Sequence, residues 1–341
     1  MTRTSPLLYR RGLYLALGAM VLLLYGVLWF RKPDTPPRRM EEAVSSPSEI
    51  DTAKLLETLQ RHPGVARLLN LWGILVFLLV GSGLVLSAQA VWRRKLVGVF
   101  RYRSHLPGTW SLSEVGRLVV LIVFVASLLP FVHMGLMLWT PGALGHLHLR
   151  SVLSMFFLEG WLVLLVWGFA SAKARPLASI LGLSTRHSLR AMEQAMLAYT
   201  TCFPWLMGLL WLIIVACQYL KIQPPLEPIH ELLFAERSPL VLGLTVVLAC
   251  VVGPVAEEIF FRGVLFTALR KRSSRLVAMG ISGSAFAAAH TNLIGFLPIL
   301  LLGCLLADCY ERTGSLWAPI VVHVFHNSLL IGVALTLKAL L

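Results

Sequence analysis

The chain has 341 residues, of which 57% are hydrophobic and only 13% carry a charged side chain. Soluble domains carry roughly 25% charged residues, so this composition excludes an ordinary soluble domain and predicts a membrane protein. A net charge of +14 would favour a nucleic-acid partner in a soluble protein, but here the Lys and Arg residues cluster between apolar stretches. Such clusters are typical of residues that set membrane topology, and we predict no nucleic-acid partner.

Nine apolar stretches approach the length of about 20 residues that a helix needs to cross a bilayer. They are residues 12–30, 68–92, 118–139, 151–172, 195–219, 240–262, 276–291, 294–310 and 316–338. We therefore predict an all-α, polytopic bundle of about eight or nine transmembrane helices. Within residues 1–30, the first stretch lacks a small-residue cleavage site and is followed at once by Arg31 and Lys32, which indicates an uncleaved signal anchor.

Residues 31–67 differ from the rest of the chain because they are rich in Pro, Ser and mixed charge. Within them, the stretch 51–62 carries Leu55, Leu56 and Leu59 at helical spacing. We predict an extramembrane linker that contains one short amphipathic helix. The five cysteines lie in or beside apolar segments without a CxxC pair, so we expect free thiols.

Positive charge predicts the orientation of the chain. Alternate loops at 93–117, 173–190 and 270–275 are rich in Arg and Lys, whereas 221–239 carries three Glu against two basic residues. The basic loops are expected to face the cytoplasm. We therefore predict a multi-pass protein of the cell inner membrane with a cytoplasmic N-terminus.

Titratable side chains inside apolar stretches are costly, so each is by default a candidate for function. The segment VAEEIFFRG places Glu257 beside Glu258, and Arg262 follows Glu258 by four residues. On a helix, this spacing brings Glu258 and Arg262 to one face and turns Glu257 about 100° away from them.

Two further apolar helices contribute polar groups, His290 from SAFAAAHTN and the pair His323 and Asn327 from VVHVFHNS. Helical rise places Glu257 roughly 20 Å from Arg270, His290 roughly 22 Å from Arg275 and His323 roughly 16 Å from Arg312. Antiparallel helices would therefore bring the three groups to a similar depth. The sequence predicts one shared site within the membrane.

These residues resemble the signature of the CAAX prenyl protease type 2 family and its bacterial relatives, the CPBP or Abi intramembrane proteases. The signature consists of EExxxR, FxxxH and HxxxN on successive helices. Here it is formed by the following residues in the same order: Glu257, Glu258, Arg262, Phe286, His290, His323 and Asn327. The resemblance covers about residues 190–338, so residues 191–341 are expected to form the protease core and residues 68–190 accessory transmembrane helices.

The resemblance implies an intramembrane endopeptidase that hydrolyses a peptide bond near the C-terminus of a membrane-associated protein or peptide. We assign Glu257 as the general base and His290 as its partner in orienting water. The resemblance implies that His323 and Asn327 donate hydrogen bonds to the oxyanion. Glu258 and Arg262 are expected to support the site as an ion pair, although a purely structural pair is the alternative.

Several alternatives stay open at this stage. A metal-free reaction is favoured, but Glu257, His290 and His323 would also suit zinc. A proton-coupled transporter or a non-catalytic scaffold of the same fold would be the other functional classes, and the myxosortase branch is one of several substrate classes open. Other intramembrane polar residues are His133, Glu159, Asp308 and His326. Of these, Glu159 is the candidate for lining a substrate cavity, although packing is the simpler explanation.

Overall fold

The computed structural model describes residues 11–30, 52–92, 106–107, 110–139, 147–173, 176–183, 188–222, 228–292 and 294–340. Every regular element among these residues is a helix, which confirms the predicted all-α class. The first seven are α1 Arg11–Phe30, α2 Thr52–Arg61, α3 Pro63–Trp92, α4 Leu112–Trp139, α5 Leu147–Ser171, α6 Leu177–Leu181 and α7 Ser188–Tyr219. The C-terminal helices are α8 Pro228–Ala235, α9 Pro239–Val247, π1 Leu248–Val252, α10 Gly253–Glu258, π2 Ile259–Phe266, α11 Thr267–Arg270, α12 Arg275–Ala289, α13 Phe296–Thr313 and α14 Trp317–Lys338.

Six helical segments of the described chain are long and apolar enough to cross a membrane. They are Pro63–Trp92, Leu112–Gly135, His148–Ser171, Ser188–Tyr219, Pro239–Arg270 and Trp317–Lys338. Arg11–Leu23 and Arg275–Ala289 are shorter apolar helices, and α13 carries charged residues near its end. The chain is therefore a helical membrane protein, with all nine predicted stretches in helices. The predicted amphipathic helix is also confirmed, as α2.

The fifth of these segments is not a uniform α-helix. It runs continuously from α9 to α11 but contains π1 and π2, one on each side of α10. At the end of π1, the Gly253 amide donates to the carbonyl of Leu248, five residues earlier. The next residue, Pro254, has no amide hydrogen to continue this pattern. π-Turns inside α-helices often mark functional sites, and here two of them flank Glu257 and Glu258.

A close crossing of α12 and α13 forms one wall of the core. A Cβ atom on Gly303 would lie 3.0 Å from the Cα of Gly283 and 3.2 Å from the Phe286 ring. Glycine at both positions lets the two backbones approach, as small residues do between transmembrane helices. The carbonyl of Gly303 thereby comes within reach of side chains from the fifth segment.

One end of the bundle gathers charged side chains into ion pairs. Glu311 accepts from Arg270 at 2.9 Å, and Asp308 pairs with both Arg275 and Arg312. Asp308, predicted within the eighth stretch, is therefore paired at the end of α13. Glu114 at the start of α4 joins the described part of loop 173–190 through a 3.0 Å ion pair with Lys173.

Several residues behind the orientation prediction lie outside the described residues, and the orientation stays a prediction. They are Arg93, Arg94, Lys95, Arg101, Arg103, Arg175 and Arg186. Most of the predicted linker, residues 31–51, also lies outside the described chain. All five cysteines are free, as expected.

Candidate active site

Four predicted site residues line one cavity of about 410 Å³ within the helical bundle. They are Glu257 from α10, His290 after the end of α12, and His323 and Asn327 from α14. These residues are 33 to 70 positions apart in the chain. The cavity thus brings together residues that the sequence predicted to lie at one depth. Glu258 and Arg262 lie behind its wall, fully buried.

Glu257 is the carboxylate that faces the cavity. Its side chain keeps 26% of its surface accessible, whereas that of the neighbouring Glu258 has none. Its Oε2 has no hydrogen-bond partner and lies 3.8 Å from His323 Nε2. The two acids are consecutive residues, and consecutive side chains on a helix point about 100° apart, which explains why one is buried and the other is accessible. The part of this carboxylate that is accessible from the cavity is suited to accept a proton from water.

Glu258 joins the segment Pro239–Arg270 to α14 through one oxygen atom. Its Oε1 accepts from Arg262 Nη1 at 2.6 Å, which is the pair expected from the i,i+4 spacing. The same oxygen lies 2.9 Å from His323 Nδ1, a contact between residues 65 positions apart that spacing within one helix could not predict. Arg262 also donates from Nη2 to the carbonyl of Gly303 at 3.2 Å. Its guanidinium stands 4.4 Å from the ring centre of Phe286.

His290 is held at the end of α12 by a backbone contact. Its Nδ1 lies 2.9 Å from the carbonyl oxygen of Phe286, and because a carbonyl can only accept, Nδ1 carries the proton. The lone pair on Nε2 is then available to accept a hydrogen bond. The following residue, Thr291, has a φ of 52°, which is unfavourable for a β-branched side chain and turns the backbone away from the helix.

Asn327 replaces a backbone donor that Pro254 cannot provide. In the π1 pattern, the amide of residue 254 would donate to the carbonyl of Ala249, but proline has none. Asn327 Nδ2 donates to that carbonyl instead, at 2.9 Å. An amide nitrogen carries two hydrogens, so one remains for a group in the cavity. This contact fixes α14 against the segment that carries Glu257.

We predict that the two roles of Asn327 can be separated. Asn327→Leu should destabilise the protein by about 1–3 kcal/mol, because it leaves the carbonyl of Ala249 unpaired. If Asn327 has the oxyanion role that the resemblance implies, the same change should slow peptide cleavage by about 100-fold or more. Adding Pro254→Ala restores an amide hydrogen and should recover thermal stability in detergent, but not the cleavage rate. Recovery of both would contradict the proposed second role.

His323 can act as an oxyanion donor only under one condition. With the Glu258 carboxylate accepting from Nδ1, the neutral ring presents a lone pair at Nε2. Donation from Nε2 therefore requires the doubly protonated imidazolium. Asn327 needs no such change of charge.

His326 lies in the same cavity, although its position in the sequence favoured a lesser role. It is buried, and its Nδ1 lies 3.0 Å from the hydroxyl of Tyr199 on α7. The hydrogen bond requires contact between distant helices, so spacing within α14 could not reveal it. His133, another predicted intramembrane polar residue, is paired with Ser154 at 2.6 Å.

The donor geometry bears on the zinc alternative. Within the described part of the chain, no group of three or more His, Cys, Asp or Glu side chains is placed to hold a metal ion. The described residues therefore do not form a preformed zinc site, and the metal-free reaction remains a proposal.

The fold and the cavity define a multi-pass membrane protein with a carboxylate, histidines and an amide gathered among its helices. Residues 239–329 match the model of the family described as type II CAAX prenyl endopeptidase Rce1-like, one of the CPBP proteins. The cavity residues on α10, on and just after α12, and on α14 as far as Asn327 all fall within the matched range, residues 239–329.

Two curated relatives are each similar to part of the chain. A protein named putative membrane peptidase YdiL, from Bacillus subtilis, is 33% identical over 26% of this chain and 36% of its own length. An uncharacterized 24.3 kDa protein from Escherichia coli is 30% identical over 36% of this chain and 59% of its own length. The similarity thus spans between about a third and three fifths of these relatives, and it does not distinguish the myxosortase branch. No solved structure matches the chain.

Proposed function

We propose that the protein is an intramembrane endopeptidase that hydrolyses a peptide bond of a membrane-associated protein or peptide, near its C-terminus. The observation that carries the proposal is the available Glu257 carboxylate in one cavity with His290, His323 and Asn327. A general base, a second group for water and oxyanion donors are what amide hydrolysis requires. The family match of residues 239–329 supports the same class of reaction.

In the proposed reaction, a water molecule lies between Glu257 and His290. Glu257 takes one proton from this water while His290 Nε2 accepts a hydrogen bond from it, and the oxygen forms a bond to the scissile carbonyl carbon. The carbonyl oxygen becomes an oxyanion next to the free amide hydrogen of Asn327, with His323 as the second donor when protonated. Glu257 then returns the proton to the amide nitrogen, the carbon–nitrogen bond breaks, and a carboxyl group and an amine result.

The surroundings of the site suit this chemistry. Glu258 is bound by Arg262 and His323, so it is committed to holding α14 near α10 and leaves Glu257 as the base. Apolar residues of the cavity wall, such as Leu248, Ile299 and Leu302, limit the number of water molecules near the carboxylate. No cofactor is required in this scheme. We also propose an inner-membrane location with the basic end of the bundle in the cytoplasm.

A reconstituted assay tests the function. The purified protein in liposomes is mixed with membrane-anchored peptides that vary near their C-terminus, and products are identified by mass spectrometry. His290→Ala should slow cleavage by about 100-fold or more, because water loses one of its two contacts. The matched control is His62→Ala, which alters an exposed histidine between α2 and α3.

Equal cleavage by the wild type and His290→Ala would contradict the assignment of His290 as the residue that orients water. Loss of activity on chelation, with recovery when stoichiometric zinc is added, would replace the metal-free scheme with the zinc alternative. Uptake of a solute or protons by the liposomes without any cleavage would instead support a transporter.

A further inference from the structure

Glu159 is a second carboxylate at the cavity, beside Glu257, and the proposed reaction does not use it. It lies halfway along α5, a helix outside the segment that matches the family. Its Oε2 is buried and has no hydrogen-bond partner. An unpaired carboxylate in the middle of a membrane-spanning helix is costly, so its position calls for a partner that is absent from the described chain.

The position of Glu159 connects the catalytic cavity with a second, apolar groove. It lines the cavity of about 410 Å³ together with Glu257 and His290. It also lines an adjoining space of about 350 Å³, again with Glu257 and His290, whose walls are otherwise apolar. These walls are formed by Val119, Ile122, Val123, Leu162, Phe260 and Phe261. His323 and Asn327 line the cavity but not this groove.

The charges around Glu159 indicate which partner would fit. None of the described residues that line these spaces is Lys or Arg. The charged group that acts on Glu159 through space is Glu257, another acid. Arg262 is fully buried behind the wall, where it contacts Glu258 and Gly303. Among the described residues that line the cavity, two carboxylates face it and none is Lys or Arg, so a cationic group would be attracted there.

We propose that Glu159 binds a basic side chain of the substrate, Lys or Arg, next to the scissile bond. The apolar walls of the groove would cover the methylene stem, while the carboxylate would pair with the charged head. This inference rests on the proposed peptidase function and names the substrate feature that the site selects. It also gives the accessory helix α5 a direct contact with substrate.

The experiment measures selectivity with peptides that differ at one position. Lys, Arg, norleucine or Glu is placed in turn at each residue flanking the scissile bond of a cleaved peptide, and kcat/KM is compared. For the wild type, the ratio of Lys to norleucine should be at least 10 at one of these positions. Glu159→Gln should lower that ratio to about 1, and Glu159→Lys should favour the peptide with Glu. Glu193→Gln, on an exposed face of α7, is the control and should leave the ratio unchanged.

An unchanged ratio in Glu159→Gln would overturn the inference, as would equal rates for all four peptides in the wild type. The same peptides, labelled with a fluorophore, are used to measure binding by fluorescence anisotropy. The protein carries Glu257→Gln so that it binds without cleaving, and it is compared with and without Glu159→Gln. A Lys preference in binding without any cleavage by the wild type would sink the peptidase function but not the role of Glu159. Cleavage without a preference for Lys in either assay would overturn the role of Glu159 but leave the peptidase function in place.

Discussion

Replacing Glu257 with glutamine is expected to slow peptide cleavage by about 1,000-fold or more, because the amide cannot take a proton from water. The side chain keeps its size. Replacing Oε2 breaks no hydrogen bond, since this atom has no partner in the folded protein. The amount of folded protein and its thermal stability in detergent should therefore stay close to those of the wild type. Single-turnover cleavage with saturating peptide measures the chemical step apart from binding.

Two further variants make this result specific to the position of the base. Glu257→Asp keeps the carboxylate but shortens the side chain by one methylene group, so activity should fall less than with glutamine. Glu193→Gln makes the same chemical change on an exposed surface and should have no effect on cleavage. A cleavage rate in Glu257→Gln within a factor of three of the wild type would falsify the role of Glu257 as general base.

Replacing Arg262 with methionine is expected to have the largest effect on stability. The change leaves the fully buried Glu258 carboxylate without its cation, and breaking such a pair typically costs about 3–5 kcal/mol. It also removes the contacts of Arg262 with the carbonyl of Gly303 and with the ring of Phe286. Loss of monodisperse protein after mild heating in detergent measures the effect.

The double variant Glu258→Met and Arg262→Met separates a structural role from a positioning role. Apolar side chains of similar volume often restore the stability lost when a buried ion pair is broken. The double variant should therefore be more stable than Arg262→Met alone. Cleavage should stay at least 100-fold below the wild type, since His323 has lost its 2.9 Å contact with Glu258. If stability and cleavage both return, the pair is structural only.

The sequence was sufficient to predict the all-α class, the helical stretches and the free cysteines. Composition and the length of apolar stretches determine these features, and neither depends on which helices are neighbours. The spacing of Glu258 and Arg262 was also informative, because an i,i+4 pair on a helix is a local relation. Their 2.6 Å contact is found within a helix that is partly π, where the side chains still meet.

Other features of the candidate site required tertiary contacts. The hydrogen bond from Asn327 to the carbonyl of Ala249 joins residues 78 positions apart, and that between Tyr199 and His326 spans 127. Helical periodicity contains no information about such pairs. The sequence singled out Glu159 as polar and intramembrane, but only the packing of α5 beside α10 placed it at the cavity. The division into accessory helices and a core stays a prediction.

The two π-helices have a consequence for how such a site can be lengthened or shortened in evolution. A π-turn accommodates one residue more than an α-turn between hydrogen-bonded groups, so a single-residue insertion can be absorbed inside the helix. By the same reasoning, removing one residue from Leu248–Val252 would restore the α pattern and leave the helix on either side close to its present orientation. A deletion within α10 has no such reserve and would rotate Glu257 by about 100° relative to the helix on the other side of the deletion. A one-residue deletion at π1 should thus be tolerated better than one in α10.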